Sequence, residues 1–118
     1  MEQPFSLQAE VRDKRLVITT SGYVNNVGGE AIAEEFRRHF ATGIREIIIN
    51  LADSRVVNSV GMSFLIEIIE QLEETGGKLV FTNLDPGVEK MLTIMGLFKF
   101  AGKERTVDEA MNSFTRRG

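Results

Sequence analysis

The sequence predicts one α/β domain on a mostly parallel sheet, entered through an N-terminal antiparallel hairpin. Three observations lead there. Two short apolar-rich runs, residues 5–11 and 15–20, are separated only by the turn at Asp13-Lys14, the pattern of a hairpin. Apolar strand-like runs then alternate with amphipathic helical stretches, which implies parallel strands joined by right-handed crossovers. A length of 118 residues with 42% hydrophobic side chains suits one domain around one sizeable core. The expected order is β-β-α-β-α-β-α-β-α, a single domain over residues 1–118.

Each element has its own warrant. Phe5, Leu7, Ala9 and Val11 fall on one face of the first strand, and Leu16, Val17 and Ile18 mark the second, ended by Gly22. Residues 23–29 are rich in turn formers and read as a loop. A helix is expected over about 30–41, with Ile32, Phe36 and Phe40 at every fourth position, Ala33 beside them, and Glu34 and Arg38 as an i,i+4 pair. Gly43 stops it. Residues 44–51 contain Ile47-Ile48-Ile49, which reads as a central strand covered on both faces. After a loop over 52–58, a second helix is expected over about 60–75, closed by Gly76-Gly77. Met62, Leu65, Ile66, Ile69 and Leu72 follow helical spacing on its core side. Leu79, Val80 and Phe81 mark a strand over 78–83. Asp85-Pro86 opens a third helix as N-cap and first helical residue. Its apolar face holds Val88, Met91, Leu92 and Met95, and Gly96 terminates it. Residues 97–100 read as a short edge strand. Thr106 to Glu109 forms a capping box for a last helix that buries Val107, Ala110, Met111 and Phe114. That helix ends in Arg116-Arg117, where the dipole favours cations.

Composition excludes several functions. Lys and Arg number 14 against 17 Asp and Glu, a net charge of −3, and no basic stripe suggests nucleic acid as a partner. No apolar run reaches the ~18 residues of a membrane span, and the start shows no charged-then-apolar leader, so a cytoplasmic protein without membrane insertion is expected. The absence of cysteine removes disulfides, thiolate zinc sites and a Cys nucleophile. The single histidine, His39, removes multi-histidine metal sites, and its place within a helix argues against a hydrolase triad. Asp53 and Asp85 could pair for acid–base work, but each reads more simply as a turn or cap residue. Gly28-Gly29 faintly suggests a phosphate cradle, yet it lacks the Lys and the GxGxxG spacing, so a flexible loop is the simpler account. No enzyme and no cofactor are expected.

Topology then picks an edge. Loops that follow parallel strands gather at the strands' carboxyl ends. Here they are residues 22–29, 52–59 and 83–86, and they bring Asn25, Asn26, Asp53, Ser54, Asn58, Ser59 and Asp85 to one surface. Ser59 sits where the second helix begins. A serine there is a good N-cap, a role Asn58 can share. A phosphoserine is equally tolerated, because free amides and the dipole favour its charge. On the second helix, Glu67, Glu70 and Glu74 share a polar arc with Ser63. Phe64 and Ile68 form an apolar shoulder, which either packs on a neighbouring helix or makes an exposed docking strip.

The stretch Ile49-Asn50-Leu51 through Val57-Asn58-Ser59-Val60-Gly61-Met62 resembles the switch motif of bacterial STAS domains, the anti-sigma factor antagonists, which reads Asp-Ser-Ser/Thr-Gly-Leu at this turn. Asp85-Pro86-Gly87-Val88 through Leu92 and Met95-Gly96-Leu97-Phe98-Lys99 resembles the family's Pro-x-Val…Leu…Gly-Leu segment. Gly22-Tyr23-Val24-Asn25 resembles its Gly-x-Leu-Asp. The resemblance spans nearly the whole chain and implies a non-enzymatic switch. In that family the unphosphorylated antagonist binds an anti-sigma factor that is also a serine kinase. Phosphorylation of the motif serine, here Ser59, ends that binding, and a serine phosphatase resets it. The candidate partner-binding residues are Asn25, Asn26, Asn58, Val60, Met62, Ser63 and Phe64. Two family acids are amides here, Asn25 and Asn58, and Val60 replaces the second hydroxyl residue. The alternatives are a non-phosphorylated STAS scaffold in a signalling or transport-regulating complex, and a small nucleotide-binding or hydrolytic domain. Modification of Ser59 by a kinase separates the first two; tight nucleotide binding or turnover marks the third.

Overall fold

A computed structural model describes residues 4–115. The expected Arg116-Arg117 terminus and the first three residues lie outside the described residues. A five-stranded sheet runs in sequence order, β1 (Ser6–Arg12), β2 (Arg15–Ser21), β3 (Glu46–Asp53), β4 (Lys78–Thr82) and β5 (Gly102–Glu104). The β1–β2 pair is antiparallel and every later pair is parallel. Asp13 and Lys14 both adopt positive φ, +52° and +67°, and their twist matches a two-residue hairpin turn. The connecting helices are α1 (Asn26–Phe40), α2 (Ser59–Thr75), α3 (Pro86–Ile94) and α4 (Val107–Thr115). The predicted element order is the observed one.

The isoleucine run of β3 divides as a pleated strand must. Ile47 and Ile49 face the larger core, with Leu16, Ile18, Leu79 and Phe81 from neighbouring strands and Ile32, Phe36, Leu65, Val88 and Leu92 from the helices. Ile48 faces the other way, with Val17, Val80, Ala110 and Phe114. The strand is therefore apolar throughout because helices cover both faces.

Two elements and one ion pair differ from expectation. α1 begins at Asn26, about a turn early, so Gly28 and Gly29 are buried helical residues rather than a flexible loop. Their lack of a side chain permits contact: a Cβ on Gly29 would lie 2.6 Å from the Phe64 ring and 3.1 Å from Gly61 Cα. Residues 97–100 are not a strand. Leu97–Lys99 is a 3₁₀ turn in which Phe100 and Ala101 N–H groups donate to the Leu97 carbonyl at 3.2 and 3.0 Å, so Leu97 and Ala101 enter the core one helical turn apart. The edge strand follows at β5. On the surface of α1, Arg38 pairs with Glu35 at 2.7 Å, not with Glu34.

Candidate functional site

The loops after β2 and β3 continue the sheet by one rung. Gly22 N–H donates to the Asp53 carbonyl at 2.9 Å, Val24 N–H to Val56 at 3.0 Å, and Asn58 N–H to Val24 at 3.1 Å, which makes Val24 and Val57 a parallel bridge. Beneath the rung, the Thr20 and Ser54 hydroxyls lie 2.7 Å apart and are buried. Ser54 thus belongs to the interior, not to the surface expected for it.

From this rung each chain turns directly into a helix, and an asparagine caps each start. Asn25 Oδ1 accepts from Val27 N–H at 3.0 Å and Gly28 N–H at 3.2 Å. Asn58 Oδ1 accepts from Gly61 N–H at 2.8 Å. Asn25 and Asn58, the two positions at which the resemblance implies acids, are therefore the two helix caps, a role in which Asn and Asp are equivalent. Both helices lack an acidic residue in the first turn, so two uncompensated positive dipole ends meet on one surface.

Capping by Asn58 releases Ser59. It is the first residue of α2, exposed, and its hydroxyl makes no hydrogen bond among the described residues. The expectation that Ser59 itself is the N-cap is corrected: the residue before it holds the extended backbone that a cap requires. Val27, Val56 and Val60 are exposed on the loops and first turns around Ser59, an apolar setting for a hydroxyl nucleophile. Val27 and Val56 carried no sequence signal, since an exposed valine reads like a buried one.

The other candidates divide. Asn26 and Val60 are exposed on the same surface, and Asn25 and Asn58 are half-buried caps. Ser63 is exposed, but its hydroxyl donates to the Val60 carbonyl at 2.6 Å. Met62 is 1% exposed, so its side chain is core and is corrected out of the partner-binding set. Phe64 is half-buried with its ring over Gly29, and Ile68 is buried. The shoulder therefore packs on α1 and is not an exposed docking strip. Asp85 Oδ2 accepts from Gly87 N–H at 3.0 Å and so caps α3. His39, half-buried in the last turn of α1, places Nδ1 2.8 Å from the Glu35 carbonyl. It lies about 20 Å along the helix from Asn25, at 1.5 Å per residue.

The helix starts share a spacing that sequence reading passed over: Asn25 and Gly28, Asn58 and Gly61, each three apart. Gly61 lets the α2 backbone close on the Val24 carbonyl, where a Cβ would overlap. The surface is thus assembled from backbone contacts, and Ser59 is the exposed first residue of the helix that Gly61 docks there.

Residues 6–110 match the sequence pattern of the STAS domain family. This chain belongs to the STAS domain family. The protein named "Putative anti-sigma factor antagonist BtrV", from Bordetella bronchiseptica, is 26% identical over 84 residues, 71% of this chain and 72% of that protein. An anti-sigma factor antagonist from Mycobacterium paratuberculosis superposes with a TM-score of 0.82 at 22% identity, over 96% of this chain and 97% of that one. The antagonist SpoIIAA superposes in its unphosphorylated form with a TM-score of 0.80 at 22% identity, over 93% and 96% of the two chains. Its phosphorylated form, from Bacillus, gives 0.74 at 22% identity over 92% and 99%. The STAS fold and family expected from the sequence are borne out. No helix among the described residues is long and apolar enough to cross a membrane.

Proposed function

We propose that this STAS domain is an anti-sigma factor antagonist: a cytoplasmic, non-catalytic binding switch that sequesters an anti-sigma factor with serine kinase activity. Phosphorylation of Ser59 turns it off, and a serine phosphatase turns it on again. One observation carries this reading. The Ser59 hydroxyl is exposed and unbonded among the described residues, at the head of a helix that Asn58 already caps. The hydroxyl is free for transfer, and its modification removes no native hydrogen bond.

Physics gives the switch its sign. A phosphoryl group adds nearly two negative charges. At the α2 N-terminus it meets free amides and a positive dipole, so the helix stays folded. Against a partner surface that buries Val27, Val56 and Val60, the same charge is unpaired. Its desolvation costs on the order of 3 kcal/mol, roughly a hundredfold in affinity.

The test is a phosphotransfer time course with the cognate kinase on wild type, Ser59→Ala and Asn58→Asp. Phosphate is expected on wild type, faster on Asn58→Asp, and absent from Ser59→Ala. Ser59→Asp is expected to fold and to lose the anti-sigma factor. Equal phosphorylation of Ser59→Ala and wild type rules Ser59 out. No phosphate on any of the three favours the second reading, a non-phosphorylated scaffold in a signalling or transport-regulating complex, which the replacement of two acids by Asn25 and Asn58 supports.

A further inference from the structure

The far half of α2 carries a second surface. An open groove of about 710 Å³ runs between α2 and the turn that follows α3. Ile66 and Ile69 form one side, and Met95, Leu97 and Phe100 the other. Met95 is 54% exposed and Phe100 61%, so large apolar side chains line it in water. Its rim carries Glu67, Glu70, Glu73 and Glu74, and no lining residue is basic.

These carboxylates are poorly compensated. Glu67 meets Arg37 at 3.4 Å; Glu70, Glu73 and Glu74 have no ion-pair partner among the described residues. Glu70 lies three and four residues from Glu73 and Glu74, the spacing at which like charges on a helix repel. They also stand near the negative end of the dipole, and the last turn of α2 contains no basic residue. The free protein is thus destabilised by a charge pattern that a cationic partner would relieve.

The geometry points to this groove as a docking site for a basic amphipathic helix of another protein, with apolar anchors against Ile66, Met95 and Phe100 and Lys or Arg facing Glu70, Glu73 and Glu74. Charge selects that occupant. A second copy placing the same rim here would oppose carboxylate to carboxylate, and an anionic lipid surface would be repelled. Glu70 is about 16 Å along the helix from Ser59 at 1.5 Å per residue, beyond the ~8 Å screening length of physiological salt. Occupancy is therefore independent of phosphorylation at Ser59, and the site stands whether or not the switch reading holds.

The probe is a fluorescein-labelled synthetic helix of about 15 residues, roughly four turns, with Leu and Phe on one face and Lys on both flanks. Binding is followed by anisotropy and by amide shifts on the full chain. Shifts are expected at Ile66, Gln71, Leu97 and Phe100, with affinity unchanged in Ser59→Asp and weakened at raised salt. The double variant Glu70→Lys/Glu74→Lys is expected to bind about tenfold more weakly or worse while melting no lower than wild type. Phe100→Ser tests the apolar wall in the same way. The proposal is overturned if a Glu-flanked peptide binds equally well, if the shifts centre on Val27, Val56 and Val60, or if both variants bind like wild type. Sedimentation showing a dimer that Phe100→Ser dissociates would assign the groove to a second copy instead.

Discussion

Helix α2 begins among uncharged residues and ends among carboxylates. At its start Asn58 caps, Val60 is exposed, and Gly61 is pressed against the Val24 carbonyl. At its end Glu70, Glu73 and Glu74 crowd toward Gly76, where the backbone turns left-handed with open space around it. The first end is held by neighbours on several sides; the second is held by its own turns and the core beneath. One amphipathic helix thus presents a fixed surface at one end and an electrically loaded one at the other, and substitutions should read differently at each.

The largest effect is expected between the two ends, where both depend on the shared core. Leu65 is fully buried, and Leu65→Ala should cost about 2–5 kcal/mol in chemical denaturation. A loss below ~1 kcal/mol would mean that α2 does not anchor through this face. Next come two glycines. Gly61→Ala places a methyl group against backbone and should cost about 1–3 kcal/mol, with amide shifts spreading to Val24 and Asn25. Gly76→Ala meets no atom and strains only a φ of +76°, about 1–2 kcal/mol, with shifts confined to the turn. Equal spread from both would erase the distinction between a packed and an open end.

Capping should separate adjacent residues. Asn58→Ala is expected to cost about 1 kcal/mol, whereas Ser59→Ala should stay within ~0.5 kcal/mol. The reverse order would return the cap to Ser59. Smaller still, Val60→Glu at one end and Glu74→Lys at the other each complement the dipole. Each should gain about 0.3–1 kcal/mol, diminishing with salt.

Acid titration gives the finest contrast. The start of α4 does carry acids, and the Arg105 side chain, bonded to Glu109 at 3.1 Å, holds the Glu109 carboxyl below its ordinary value of 4.5. A depressed folded value contributes stability above the unfolded one, and that contribution is lost as pH falls from about 4.5 through the folded value. Amide shifts at Arg105 and Glu109 should therefore move below pH ~4.5, while Val60 and Gly61, with no acid in their turn, stay still. Titration of Gly61 in the same window would show that a carboxylate outside its own turn acts on the switch surface.

Much of this architecture was legible because single residues have few other uses. Ile47-Ile48-Ile49 fits only a strand covered on both sides, and Asp85-Pro86 is a helix start by its chemistry alone. The misread places are those that tertiary contact decides. Gly28-Gly29 has poor helix propensity, yet the Phe5 ring and the Tyr23 carbonyl occupy the space a Gly28 side chain would need, and Phe64 and Gly61 that of Gly29, so α1 starts early. β5 reads Gly-Lys-Glu, with no apolar pattern, and is a strand because its backbone pairs with β4. At the site, a helix start at Ser59 was readable, but Asn and Ser rank alike as caps, so only the backbone could assign the role. The shoulder of Phe64 and Ile68 was ambiguous because an apolar arc looks the same whether a helix of the same chain or another protein covers it.

The rung between Val24 and Val57 has a consequence for timing. Surface loops usually open and close on their own schedule, and their amides exchange with solvent quickly. Here the amides of Val24 and Asn58 are tied into the sheet, so they should exchange nearly as slowly as those of Ile48 and Ile49. A partner would then meet a surface already in its bound shape, with little chain entropy left to lose on contact. Encounter would depend on orientation and charge rather than on waiting for a loop to arrive.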